Sequence, residues 1–140
     1  MSTSRHPEDL QTVRKGERLY TGSNGRGAVV EMGPVDVAGA FTPGELLKIA
    51  LAGCVGMSAD FRFRRVLGDE FEVTVRVETS KADGEDRYET FRESIEVDLS
   101  GLDEDTRAKT VDSVQKAVDR LCTVGNTIKA SAAIDPIAYL

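Results

Sequence analysis

The stretch TPGELLKIALAGCVGMSA, residues 42–59, constrains the fold more than any other part of this 140-residue chain. Thr42 can cap a helix, Pro43 suits its first position, and Glu45 stands three residues after the cap, which completes a capping box. Apolar or small residues then fall on nearly every side as far as Ala59. A helix that is apolar all round is a buried helix. Ala50, Ala52, Gly53, Gly56 and Ala59 would let another backbone come close, and Gly68 is placed to end the helix after the polar run RFRR. One chain of this size has few layers with which to cover such a helix, so a partner subunit is expected to supply the rest, with folding and dimerisation coupled. The apolar run Leu46–Met57 is about 12 residues and carries Lys48, too short to span a bilayer.

Alternation takes over downstream. Phe71, Val73, Val75 and Val77 interleave with Glu72, Thr74, Arg76 and Glu78, the pattern of a half-buried strand. Phe91, Ile95, Val97 and Leu99 repeat it after the turn-like ADGED, predicting a hairpin. Glu93 falls on the apolar side of the second strand, where a bulge or the hairpin edge is expected rather than a functional acid. From Asp103, the residues Ala108, Val111, Val114, Val118 and Leu121 step by three or four and predict an amphipathic helix whose acidic start complements the helix dipole. A short helix around Val124–Lys129 and a final strand over Ala132–Leu140, with Pro136 at an edge, complete that end. At the front, VRKGERLYTG and GAVVEM read as two strands around the turn Ser23–Gly27. The order β-β-α-β-β-α-β is α+β with antiparallel pairs, in a single domain spanning 1–140.

Composition narrows the function. A formal net charge of −6 with no basic cluster argues against a nucleic-acid partner. MSTSRHPEDL lacks the apolar core of a signal peptide, and two cysteines in a chain without export signals point to the cytoplasm, with no membrane partner. The one histidine, His6, sits near the N-terminus, so a Cys-His or Ser-His pair is not expected. Two distant cysteines without other soft ligands make a poor zinc site, and GSNGRG has no helix after it to cradle phosphate. No metal or cofactor is called for. What remains is a thiol pair, Cys54 inside the apolar helix and Cys122 at a helix junction, plus arginines. Either both thiols are packing residues, or they carry redox chemistry. For the second, Arg26 is the best-placed cation to favour a thiolate.

At these residues the chain resembles the OsmC/Ohr family, the osmotically inducible and organic-hydroperoxide-resistance proteins. The likeness rests on Pro43-Gly44-Glu45-Leu46, on Cys54 in a small-residue helix, and on Cys122-Thr123-Val124-Gly125-Asn126. It covers nearly the whole chain. The resemblance implies an OsmC-like fold, antiparallel sheets wrapped around central helices in an intertwined homodimer. It also implies a peroxiredoxin-like oxidoreductase acting on organic hydroperoxides in oxidative stress defence. Cys54 would then be the attacking cysteine, Cys122 the resolving one, and Arg26 in NGRGAVV the activating arginine. A dithiol or lipoylated protein would be the reductant. Two positions depart from the pattern: Gly44 stands in the slot of the family glutamate, with Glu45 one place on, and Thr123 stands where proline usually follows the second cysteine. The alternative on the same scaffold is a non-catalytic protein that binds an apolar small molecule or senses or carries sulfur at Cys54.

Overall fold

Helix α1 spans Pro43–Leu67 in the computed structural model, which describes residues 9–140. The Glu45 N–H donates to Thr42 Oγ1 at 3.1 Å, and Glu45 Oε1 accepts the Thr42 N–H at 2.8 Å. The capping box therefore closes in both directions. Gly68 stops the helix with φ of 89°, its N–H reaching back to the Arg64 carbonyl at 3.0 Å. Replacing Thr42 with Ala removes half of the box and is expected to cost about 1 kcal/mol. The check is a lower denaturant midpoint with an unchanged slope.

The described residues gather into two compact units, one ending at Leu47 and one from Lys48 onward. The first holds a three-stranded antiparallel sheet in the order β1 (Gln11–Gly16), β2 (Leu19–Ser23), β3 (Val29–Met32). Two strands were expected here, and there are three. VRKGERLYTG is itself a hairpin, turning through Glu17 and Arg18 with a register shift between Arg14 and Gly16. Arg18 takes φ of 58°; a Glu-Arg turn lacks the Asn-Gly or Asp-Gly signature that marks such hairpins. The Gly-rich turn between β2 and β3 is as expected. Asn24 Oδ1 accepts the N–H groups of Arg26 at 2.8 Å and Ala28 at 3.2 Å, and Gly25 and Gly27 supply positive φ. Arg26 is exposed at its tip.

The second unit pairs β4 (Val73–Lys81) with β5 (Tyr88–Val97), followed by α2 (Glu104–Leu121) and α3 (Thr123–Ala130). The hairpin and the short helix after Cys122 are where the sequence puts them. Of the two readings of Glu93, a bulge or the hairpin edge, the bulge is not found and the edge stands. The ladder's register shift lies between Ser80 and Lys81, beside the turn, while Glu93 pairs with Val77 in regular register. The bulge belongs at the turn, where the strand reverses, and Glu93 is exposed on β5, an edge of its two-stranded sheet. The expected last strand is absent: beyond Ser131 the chain is exposed and without regular structure. Pro136 offers no N–H to a ladder, which weakens any pairing there.

The core is a stripe of α1, Leu51, Val55, Ala59 and Phe63, packed with Val114 and Val118 of α2 and with Cys122. Phe71 packs against Phe63 in a tilted arrangement, with ring centroids 5.8 Å apart. The buried face of α2 is turned from the expected one. Thr110, Val114, Ala117 and Val118 are inside, whereas Val111 and Leu121 are more than half exposed. The four-residue step from Thr110 through Val114 and Val118 leads directly to Cys122. Thr110 is tolerated inside because its Oγ1 donates to the Thr106 carbonyl at 2.8 Å. Helix α1 itself is buried on one side only. Ile49, Met57 and Phe61 remain exposed, Met57 at 83%.

Candidate thiol site

Cys122 is the single residue between α2 and α3, ending one helix and capping the next. Its φ of −80° and ψ of 91° break the helix, yet its backbone stays tied at both ends. The N–H donates to the Val118 carbonyl at 3.0 Å, and its carbonyl accepts the Asn126 N–H at 2.9 Å. The sulfur takes the capping role, accepting the Gly125 N–H at 3.4 Å. Thr123, standing in the slot of a proline, simply opens α3. Hydrogen bonds at the helix junction hold the turn that a proline ring would otherwise stiffen.

Gly125 is a residue that periodicity does not single out. It is buried, and a Cβ there would stand 3.1 Å from Cys122 Sγ and 3.4 Å from Leu51 Cδ1. Its lack of a side chain lets α3 seat itself on the sulfur. A glycine three residues after a capping cysteine is the signal that could have found it.

Cys54 lies half-buried on α1 and packs against the cluster that contains Cys122. Burial is the largest cause pushing the Cys122 thiol above its ordinary pKa; the Cys54 thiol and the Glu93 charge push the same way, and the Gly125 N–H opposes them. Burial thus disfavours the thiolate form of Cys122. Both cysteines are free thiols. The fold thus brings Cys54 and Cys122 together in the second unit. Arg26 belongs to the first unit, on its β2–β3 turn.

Glu45 is not placed beside Cys54. Nine positions separate them, which at about 100° per residue puts the two side chains on opposite sides of α1. The Glu45 carboxylate is also committed to the cap. His6 lies outside the described residues. Among the described residues, no helix is long and apolar enough to cross a membrane.

Comparison with known proteins agrees with this architecture. An uncharacterized protein of Mycobacterium tuberculosis is 44% identical over 126 residues, covering 90% of this chain and 92% of its own length. An OsmC-like protein from Mycoplasma pneumoniae superposes with a TM-score of 0.66 at 16% identity, over 91% of both chains. A proposed osmotic stress induced and detoxification response protein from Psychrobacter arcticus gives 0.67 at 19% identity, over 89% of this chain and 90% of that one. The family description "OsmC-like protein" matches residues 36–136. With two antiparallel sheets, three helices and that match over most of its length, the chain belongs to the OsmC-like family.

Proposed function

We propose that the protein is a thiol-dependent peroxidase for organic hydroperoxides, with Cys54 attacking and Cys122 resolving. The observation that carries this reading is the meeting of the two free thiols in one unit, the second at a helix junction. The Cys54 thiolate would attack one oxygen of the O–O bond. That bond breaks, the alcohol leaves with a proton, and Cys54 becomes a sulfenic acid. Cys122 then attacks the Cys54 sulfur, and the hydroxyl departs with the Cys122 proton as water. A disulfide remains, which a dithiol or lipoylated protein reduces. The cycle needs free thiols, and therefore a reducing compartment such as the cytoplasm.

The test is turnover with excess dithiol and either an alkyl hydroperoxide or hydrogen peroxide. The alkyl substrate should win, because each buried methylene contributes about 0.8 kcal/mol, roughly fourfold in kcat/KM. Equal rates, or none, would sink the assignment of substrate class.

Arg26 is assigned the activating role that the family resemblance gives it. An opposite charge within about 4–6 Å shifts a titrating group by about 1–3 units. Arg26→Met is therefore expected to slow hydroperoxide consumption at pH 7 by about tenfold or more. An unchanged rate would remove Arg26 from the site.

Two observations favour a second reading, in which the scaffold binds an apolar molecule or carries sulfur at Cys54 without turnover. Gly44 leaves the glutamate slot empty, and Glu45 is turned away from Cys54 and spent on the cap. A stable persulfide or a bound apolar ligand, without peroxide consumption, would decide for it.

A further inference from the structure

In a chain with a formal net charge of −6, a cluster of cations without acids among them calls for a reason. One lies between the end of α1 and the start of α2. A cleft of about 260 Å³ is lined there by Arg62 and Arg65 of α1 and by Thr106, Lys109 and Ser113 of α2, and no lining residue is acidic. Arg62 and Arg65 stand three positions apart, neighbours on one helix face, where like charges repel. Arg65 has a structural role. It complements the helix dipole in the last turn of α1 and sits over the Phe61 ring at 5.6 Å. Arg62 precedes that turn and is half-buried. Its neighbour Arg64 is tied to Asp69 at 3.3 Å, whereas the Arg62 guanidinium has no partner among the described residues. The half-buried Ser113 hydroxyl has none there either, while the hydroxyls of Thr106 and Thr110 donate to Asp103 and to the Thr106 carbonyl. Lys109 is held only by Asp105 at 3.0 Å, an exposed pair of the kind that contributes little and exchanges readily.

We propose that this cleft binds a phosphate group, either the free ion or the terminal group of a small phosphorylated molecule. Arg62, Arg65 and Lys109 supply the charge, and the Ser113 hydroxyl is a further donor. The donor set selects the ligand class. A carboxylate is planar and is satisfied by one guanidinium fork. Here two guanidinium groups and an ammonium come from two different helices, which suits a tetrahedral anion. A phosphate monoester carries about −1.5 to −2 charge at pH 7 and three acceptor oxygens. The volume sets a size limit, since pockets for drug-sized ligands run from about 300 to 1,000 Å³. The site is also separate from the thiols. Thr110 lines the cleft and precedes Cys122 by twelve residues, about 18 Å along a helix. A bound phosphate would tie α1 to α2 at the end of the helices remote from Cys122.

The experiment is calorimetric titration of the full chain with inorganic phosphate at neutral pH, with ionic strength held constant by chloride. Saturable binding of one phosphate per chain is expected. Arg62→Gln is expected to raise the dissociation constant by about tenfold or more, the loss of a charge-assisted hydrogen bond. Lys109→Ala, at an exposed position of α2, should act in the same direction and serves if the first variant does not fold. A general effect of salt on the protein surface would be the same in parent and variants. Methyl phosphate distinguishes the two sources: binding as tight as that of phosphate identifies a terminal group as the ligand, and binding of inorganic phosphate alone identifies the free ion. Absence of saturable phosphate binding overturns the proposal, as does an unchanged dissociation constant in a folded variant. No peroxide enters the titration, so its outcome is independent of the thiol-peroxidase reading.

Discussion

Cys54→Ser is expected to abolish hydroperoxide consumption, because no thiolate remains to attack the O–O bond. Cys122→Ser is expected to react once and then stall. Its Cys54 sulfenic acid has no partner thiol and advances to sulfinic acid under excess peroxide, a step that ordinary dithiols do not reverse. The two variants should thus fail differently, the first at the burst and the second after it. Stopped-flow peroxide consumption with mass analysis of the product checks both. The asymmetry follows from placement. Cys122 is 2% exposed and sits under the Gly125 amide, whereas Cys54 is half-buried on a helix with an open far side. Equal behaviour of the two variants would remove the assignment of roles.

The second large effect concerns assembly. Ile49, Gly53, Met57 and Phe61 step by four along α1, about 200° round from the buried stripe that begins at Leu51. Ile49, Met57 and Phe61 are 49%, 83% and 58% exposed in the single chain. Beside them runs a groove floored by Ala52, Gly53 and Gly56, with Val73 and Val75 on its other side. A second copy of the chain is the occupant the family resemblance implies for this face. Met57→Glu would bury an unpaired carboxylate twice in a two-fold interface, at a cost of at least about 2 kcal/mol each. The dimer dissociation constant should then rise by about a thousandfold. Sedimentation at micromolar concentration checks this, with the parent running as a dimer and the variant as a monomer. A parent that runs as a stable folded monomer would contradict the account of α1.

How much of this was legible beforehand depends on where the signal was local. The start and stop of α1 were, because capping chemistry is written in adjacent residues: Thr42, Pro43, Glu45 and then Gly68. The β4–β5 hairpin was, because alternation is a two-residue pattern and ADGED is a turn. The α2 face was misread by about one position. Val111 and Leu121 are apolar and Thr110 is not, yet Thr110 is the one inside, its hydroxyl satisfied by the Thr106 carbonyl. The first hairpin was missed because Arg18 adopts a left-handed conformation that its sequence does not advertise.

The site was legible in its thiols and not in its surroundings. Cys54 and Cys122 are far apart in sequence, and their meeting depends on how α1 packs against the α2–α3 junction. Gly125 carries meaning only once Cys122 caps α3. Glu93 interrupts the alternation because β5 is an edge strand on which that position is exposed.

The central claim is that Cys54 and Cys122 form one redox pair. The most direct test counts free thiols by mass spectrometry before and after one equivalent of an alkyl hydroperoxide. The account predicts two alkylatable thiols per chain before exposure, none after, and a mass lower by two hydrogens, the signature of an intramolecular disulfide. A protein that keeps both thiols free after prolonged exposure would contradict it, and Cys54 would then be a packing or ligand-carrying residue of α1.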